Sequence, residues 1–174
     1  MDDSFFIYIE RLELIAFFSG YPLIFLAVRV IAAPLQARGF LKINIASLLP
    51  NAYAFVGLLF LGLQLKNLYP DYSFENIKLA TADPYLKTWA LLSLLFFIPF
   101  FAKKPMSSLL HSLVFFYFVV KDFSRSLFSS VDNNFLQNDM HMYSRSLLIN
   151  LGAFVLLVLL YLLVSFLKRT RAAS

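Results

Sequence analysis

Two ionisable side chains lie inside the long apolar runs of this chain, Arg29 and His111. An ionisable group in hydrocarbon is costly and marks a functional position by default. Arg29 sits about one helical turn from the end of its run, close enough for its aliphatic stem to carry the guanidinium to the headgroups. His111 lies two turns past Lys104, at roughly 10 Å depth from helical rise, where snorkelling fails. A neutral imidazole bonded to a neighbouring helix is its plain role; handling a proton or binding a ligand is the alternative. The polar residues nearby sharpen the question. Asn44, Ser47, Asn51 and Ala54 follow a seven-residue repeat on one run, and Ser108, His111 and Ser112 share a face on another. Pro50 beside Asn51 removes an amide donor and frees a carbonyl. Arg29, Asn44, Ser47, Asn51, Ser108 and His111 are therefore the candidate polar cluster within the membrane. Turned inward, Arg29 would join Asn51 and His111 in a cationic pocket suited to a lipid phosphate or another anion. Packing between helices is the simpler expectation.

The residues that are missing narrow the chemistry further. No apolar run contains Asp or Glu, which disfavours a cation-coupled carrier. Intramembrane hydrolysis needs paired carboxylates, a serine with a base, or a metal held by several His and acidic ligands, and no run holds such a set. The chain has no cysteine, so thiol catalysis, disulfides and thiolate metal sites are excluded. Met140-His141-Met142, with Asp132 and Asp139, suggests a soft copper site only superficially, because two histidines are too few for a specific one. There is no phosphate-cradling glycine loop and no dinucleotide fingerprint. No catalytic residue, metal or cofactor is assigned, and an enzyme is not the expectation.

These residues need helices in a bilayer to position them. With 60% hydrophobic and 14% charged residues, the 174-residue chain is far more apolar than soluble proteins. Its runs predict an all-α, polytopic membrane protein, one integral domain over 1–174, with five transmembrane helices at about 14–33, 43–65, 86–102, 106–122 and 146–167. Short links make two helical hairpins plus a C-terminal helix. The outer loops fall at 66–85 and 123–145. The third and fourth runs are only about 15 strongly apolar residues each, so a re-entrant or shallow hairpin is the alternative there.

Charge orients this arrangement. All ten acidic residues fall on one side of the five-span model, while Arg29, Arg38, Lys42, Lys103, Lys104, Lys168, Arg169 and Arg171 edge the other. Because cytoplasmic loops retain Lys and Arg, the N-terminus is expected outside and the C-terminus inside, in a bacterial cytoplasmic (inner) membrane. The net charge of +5 does not predict nucleic-acid binding, since its basic residues edge the bilayer; they suit anionic headgroups instead. No cleavable leader is visible in the acidic N-terminus.

Outside the spans, residues 1–13 read as a segment lying in the outer headgroup layer. Phe123, Leu127, Phe128 and Val131 recur at helical spacing and predict an interfacial helix that stops at Asp132-Asn133-Asn134. Tyr69, Tyr72, Tyr85 and Trp89 predict an outer aromatic belt. The expected function is a non-catalytic membrane component: a scaffold, accessory subunit or assembly factor of a larger complex. Its partners would be other membrane proteins or further copies of itself, docked through Phe123, Phe128 and Phe135 on the outer side. The alternatives are a small oligomeric channel or carrier, or a lipid-headgroup binder or enzyme using the Arg29 and His111 region.

Overall fold

The computed structural model describes residues 3–37, 44–73, 84–128 and 133–173, and these are helical with short connections. The helices are α1 (Asp3–Phe18), α2 (Tyr21–Ala37), α3 (Leu49–Leu68), α4 (Pro84–Leu91), α5 (Pro99–Ala102), α6 (Pro105–Phe128) and α7 (Asn133–Ala173), with 3-10 turns at Ile45–Leu48 and Leu92–Phe97. Four stretches are long and apolar enough to cross a membrane: Ile7–Ala32, Ile45–Leu68, Pro105–Arg125 and Gln137–Lys168. Pro84–Phe97 is a shorter apolar helix.

Proline sets most of the boundaries. Pro84, Pro99 and Pro105 open their helices, and Pro22 and Pro50 stand in the first turn of theirs. There the missing N–H has no intrahelical partner to lose, and the ring fixes a helical φ. Pro50 therefore starts α3 and frees no carbonyl in mid-span, contrary to the sequence expectation, because the preceding turn at Ile45–Leu48 is 3-10 and not α-helical. Ile98 and Tyr69, each before a proline, are extended at ψ 129° and 140° and end the elements they follow. Pro34 alone sits inside a helix, and α2 continues past it to Ala37.

Side-chain contacts give the directions. Along α1 into α2, Glu13 bonds Gln64 at 3.0 Å, Phe18 meets Phe60 and then Tyr53, and Tyr21 meets Tyr53. One chain advances as the other recedes, so α3 is antiparallel to α1 and α2. The same holds for α6: Arg11 meets Phe118, Phe18 meets Phe115 and Tyr21 meets Ser108. Hence α3 and α6 are parallel to each other, and the chain between them returns along the bundle through α4, the 3-10 turn and α5. Helix α7 runs with α1, its Asp139 near Arg11 and its Ser146 at Gly20.

Several extents differ from those read in the sequence. Residues 3–13 belong to the first helix, and within it Glu10 is only 5% exposed, so this end of the helix packs into the bundle at Glu10 instead of forming a separate segment. Helix α6 runs unbroken to Phe128, and α7 begins at Asn133. The segment expected as the second outer loop is thus largely helix, without a separate interfacial segment among the described residues. Val131 and Asp132 lie outside them.

The interior is aromatic. Phe18, Tyr21, Tyr53, Phe60 and Phe115 are all buried, and their rings touch in chains: Phe18 to Phe115 at 4.8 Å and Tyr21 to Tyr53 at 4.4 Å between centroids. Large rings bury much area with few rotamers to lose, which suits a core surrounded by lipid. From Val155 to Leu167, α7 presents mostly exposed apolar side chains, as a lipid-facing helix does.

Candidate functional site

Three polar layers cross this aromatic core. The first gathers at the end of the bundle where α1 begins. Arg11 is ion-paired to Asp122 of α6 and reaches Asp139 of α7 at 3.5 Å, while its guanidinium lies 5.5 Å from the Phe118 ring centre. Lys87 of α4 bonds Glu10 at 3.1 Å, and Gln64 and Asn67 of α3 donate to Glu13 at 3.0 and 3.4 Å. Asp139 is 3% exposed. One guanidinium thus lies between two carboxylates from neighbouring helices, with the same Nη2 facing both.

The second layer is centred on His111. Its Nδ1 is 2.8 Å from the Tyr53 hydroxyl, its ring is stacked on Trp89 at 4.6 Å and 6°, and Phe96 and Phe115 stand 5.7 and 6.3 Å away. The Trp89 indole N–H donates to the His111 carbonyl at 3.2 Å. One turn earlier, Ser108 shares a 2.7 Å hydrogen bond with the Tyr21 hydroxyl, and it donates to the Pro105 carbonyl at the same distance. Nε2 of His111 is buried and has no partner among the described residues.

The third layer lies at the break between α1 and α2. Pro22 has no N–H to return to Phe18, so the helix opens at Ser19-Gly20. The last helix closes the gap: Gly20 N–H donates to Ser146 Oγ at 2.8 Å, and Asn150 Nδ2 donates to the Phe17 and Ser146 carbonyls, both at 2.8 Å. Ser19 turns its hydroxyl back to the Ile15 carbonyl at 2.6 Å.

Of the residues expected at a site, the structure joins Ser108 and His111 to the tyrosine layer and leaves the others apart. Arg29 is exposed, its guanidinium 5.8 Å from the ring centre of Phe25 on its own helix. Asn44 and Ser47 are exposed and bonded locally, Ser47 Oγ donating to the Asn44 carbonyl at 2.6 Å; Asn51 is half-buried. No hydrogen bond or ion pair among the described residues links Arg29 to Asn51 or His111. Of the residues expected to form a partner surface, Phe123 and Phe128 are exposed, Phe128 at 90%, and the side chain of Phe135 lies outside the described residues. Met140, His141 and Met142 are consecutive on α7 and so point in different directions. Among the described residues, no three His, Asp or Glu side chains form a metal-binding group.

Several polar partners were not found from sequence. The polarity pattern of the sequence does not single out Arg11, Tyr21 or Tyr53, and it places Trp89 in an outer belt, whereas Trp89 stacks on His111. Ser146 and Asn150 carried a signal: two polar residues four apart near the start of an apolar run share a helical face. No family model, curated protein or solved structure matches this chain.

Proposed function

We propose that the chain is a non-catalytic component of a membrane complex, a scaffold, accessory subunit or assembly factor, that crosses the bilayer five times with its N-terminus outside. The observation that carries this reading is how the interior is occupied. Where an aqueous path or a reaction centre would run, Phe18, Tyr21, Tyr53, Phe60 and Phe115 fill the bundle. Its polar side chains are largely engaged with one another across helices, the role such groups have in membrane bundles. A channel or carrier built from this chain would need its pathway between protomers. Partner recognition then falls to the exterior, and Phe123 and Phe128 stand near the end of α6, beyond Asp122 and the charged layer.

The five-crossing count is supported by the parallel course of α3 and α6, since the broken segment 84–102 must return the chain between them. The orientation rests on charge: Glu10, Glu13, Asp122 and Asp139 gather at one end, whereas Lys103 and Lys104 turn the chain at the other. A bacterial cytoplasmic membrane is the proposed setting, in which the basic collar meets anionic headgroups. Because the chain has no cysteine, single cysteines report topology cleanly. Cysteine in place of Asp3 or Lys78 should label from outside with an impermeant thiol reagent. Cysteine in place of Arg38, Lys103 or Ala172 should label only after permeabilisation; external labelling at 38 reverses the orientation, and at 103 it makes segment 84–102 re-entrant.

The partner surface is tested by replacing Phe123, Phe128 and Phe135 together with alanine. Complex size in mild detergent should fall while the inserted amount stays constant, with co-migrating proteins identified before and after. Retention of every partner at unchanged insertion defeats the assignment of this surface.

A further inference from the structure

We propose that His111 and Trp89 form a protonation-sensitive latch that holds the segment 84–102 against the bundle. That segment is the least continuous among the described residues: an eight-residue helix, a six-residue 3-10 turn and a four-residue helix. It reaches His111 twice, through the Trp89 stack at 4.6 Å and through Phe96 at 5.7 Å, and Trp89 adds its bond to the His111 carbonyl. His111 itself is held on the long helix α6, with Tyr53 of α3 fixing its Nδ1. When the contact loosens, the broken segment is the side that gives.

The hydrogen-bond pattern makes protonation the trigger. A tyrosine hydroxyl both donates and accepts, so the bond at Nδ1 survives protonation by reversing its direction. Nε2 has no such provision. It is buried without a partner among the described residues, and in the imidazolium it carries an N–H into apolar surroundings. No described ion pair includes His111. The groups facing it are Tyr53 from α3, with Tyr21 of α2 behind that ring, Ser108 one turn away on α6, and Trp89 and Phe96 from the segment itself. Lys87, the charge two residues from Trp89, is paired with Glu10. With no carboxylate paired to it among the described residues, the buried cation gains only the indole face, which returns less than burial costs. Hydrating the imidazolium requires the cover of Trp89 and Phe96 to lift, and acid therefore releases the segment.

Trp89 is the single tryptophan in the chain, so its fluorescence reads the latch directly. The full-length protein in lipid nanodiscs would be followed by acrylamide quenching from about pH 8 to about pH 4, spanning the ordinary histidine range. The expected result is a several-fold rise in the quenching constant on acidification. It should be absent in His111→Gln, which keeps a neutral hydrogen-bonding side chain. It should persist in Glu10→Gln, which removes the other acid-labile tie on the same segment. The chain has two histidines, so labelled-histidine NMR of the unaltered protein gives a second measurement, and the His111 signal should titrate with the same midpoint. A flat quenching profile, a rise that survives His111→Gln, its loss in Glu10→Gln, or a His111 midpoint apart from that of quenching would each overturn the latch.

Discussion

Arg11→Met is expected to cost about 3–5 kcal/mol, the range for removing one partner of a buried ion pair. Methionine preserves much of the stem that packs beside Phe118, so the loss is electrostatic. The Asp139 side chain is 4% exposed and that of Asp122 15%, and without the guanidinium both carboxylates are left with too little water to solvate them. Arg11→Lys should fall between, because it keeps the positive charge but its ammonium is more strongly hydrated than a guanidinium and so costs more to bury. The combination Arg11→Met, Asp122→Asn, Asp139→Asn should recover most of the stability, since neutral amides leave no uncompensated charge. Unfolding in mild detergent, followed through Trp89 emission, measures each variant. A loss below about 1 kcal/mol for Arg11→Met would place this pairing with screened surface ion pairs and remove Arg11 as the tie between α1 and the α6–α7 hairpin.

What sequence could foresee here follows from how far each signal reaches along the chain. An apolar run of about 20 residues is visible in any window, and the four stretches able to cross a membrane fall on such runs or, for α6, on a shorter one extended by its polar flank. The run at 84–102 was ambiguous because two features compete within it. Its side chains are apolar, yet Pro99 forces Ile98 into an extended conformation and breaks the helix. Proline is itself a boundary signal, and at Pro50 an apolar run that continues on both sides hides the helix start. The acidic residues of α1, α6 and α7 could be counted from sequence, but their convergence on Arg11 could not, because Arg11 and Asp139 are 128 residues apart.

The polar site was legible only by residue type. His111 stood out as an imidazole in an apolar run, whereas its partner depends on the rotation of α3 about its axis, which decides whether Asn51 or Tyr53 faces inward. Tyr53 is fully buried and Asn51 half-buried. The seven-residue stripe put weight on the amide because polar groups dominate such a reading, and a tyrosine counts in it as hydrophobic. Its hydroxyl nonetheless needs a partner once buried, so the tyrosines of α2 and α3 were candidates that polarity alone passed over.

Gly20→Ala should cost about 2–4 kcal/mol, from overpacking and lost interhelical bonds combined. A Cβ built on Gly20 would lie 2.6 Å from the Leu147 nitrogen, 2.7 Å from the Ser146 carbonyl carbon and 2.9 Å from the Leu147 Cα. All three are backbone atoms of α7, so no side chain can swing aside. The helices must separate, and separation stretches Gly20 N–H from Ser146 Oγ and Asn150 from the Phe17 carbonyl, which together close the break after α1. Gly62→Ala and Gly152→Ala supply the comparison, since nothing lies within 4 Å of the added carbon at either position. In helix interiors those two changes should be neutral or stabilising by up to about 1 kcal/mol. Ser146→Ala separates the contributions, as it keeps the close crossing but leaves the Gly20 N–H without its acceptor, at about 1–3 kcal/mol. Equal stability of Gly20→Ala and Gly152→Ala would mean that α7 does not cross the first helix at this glycine, and the break at Ser19-Gly20 would need another partner.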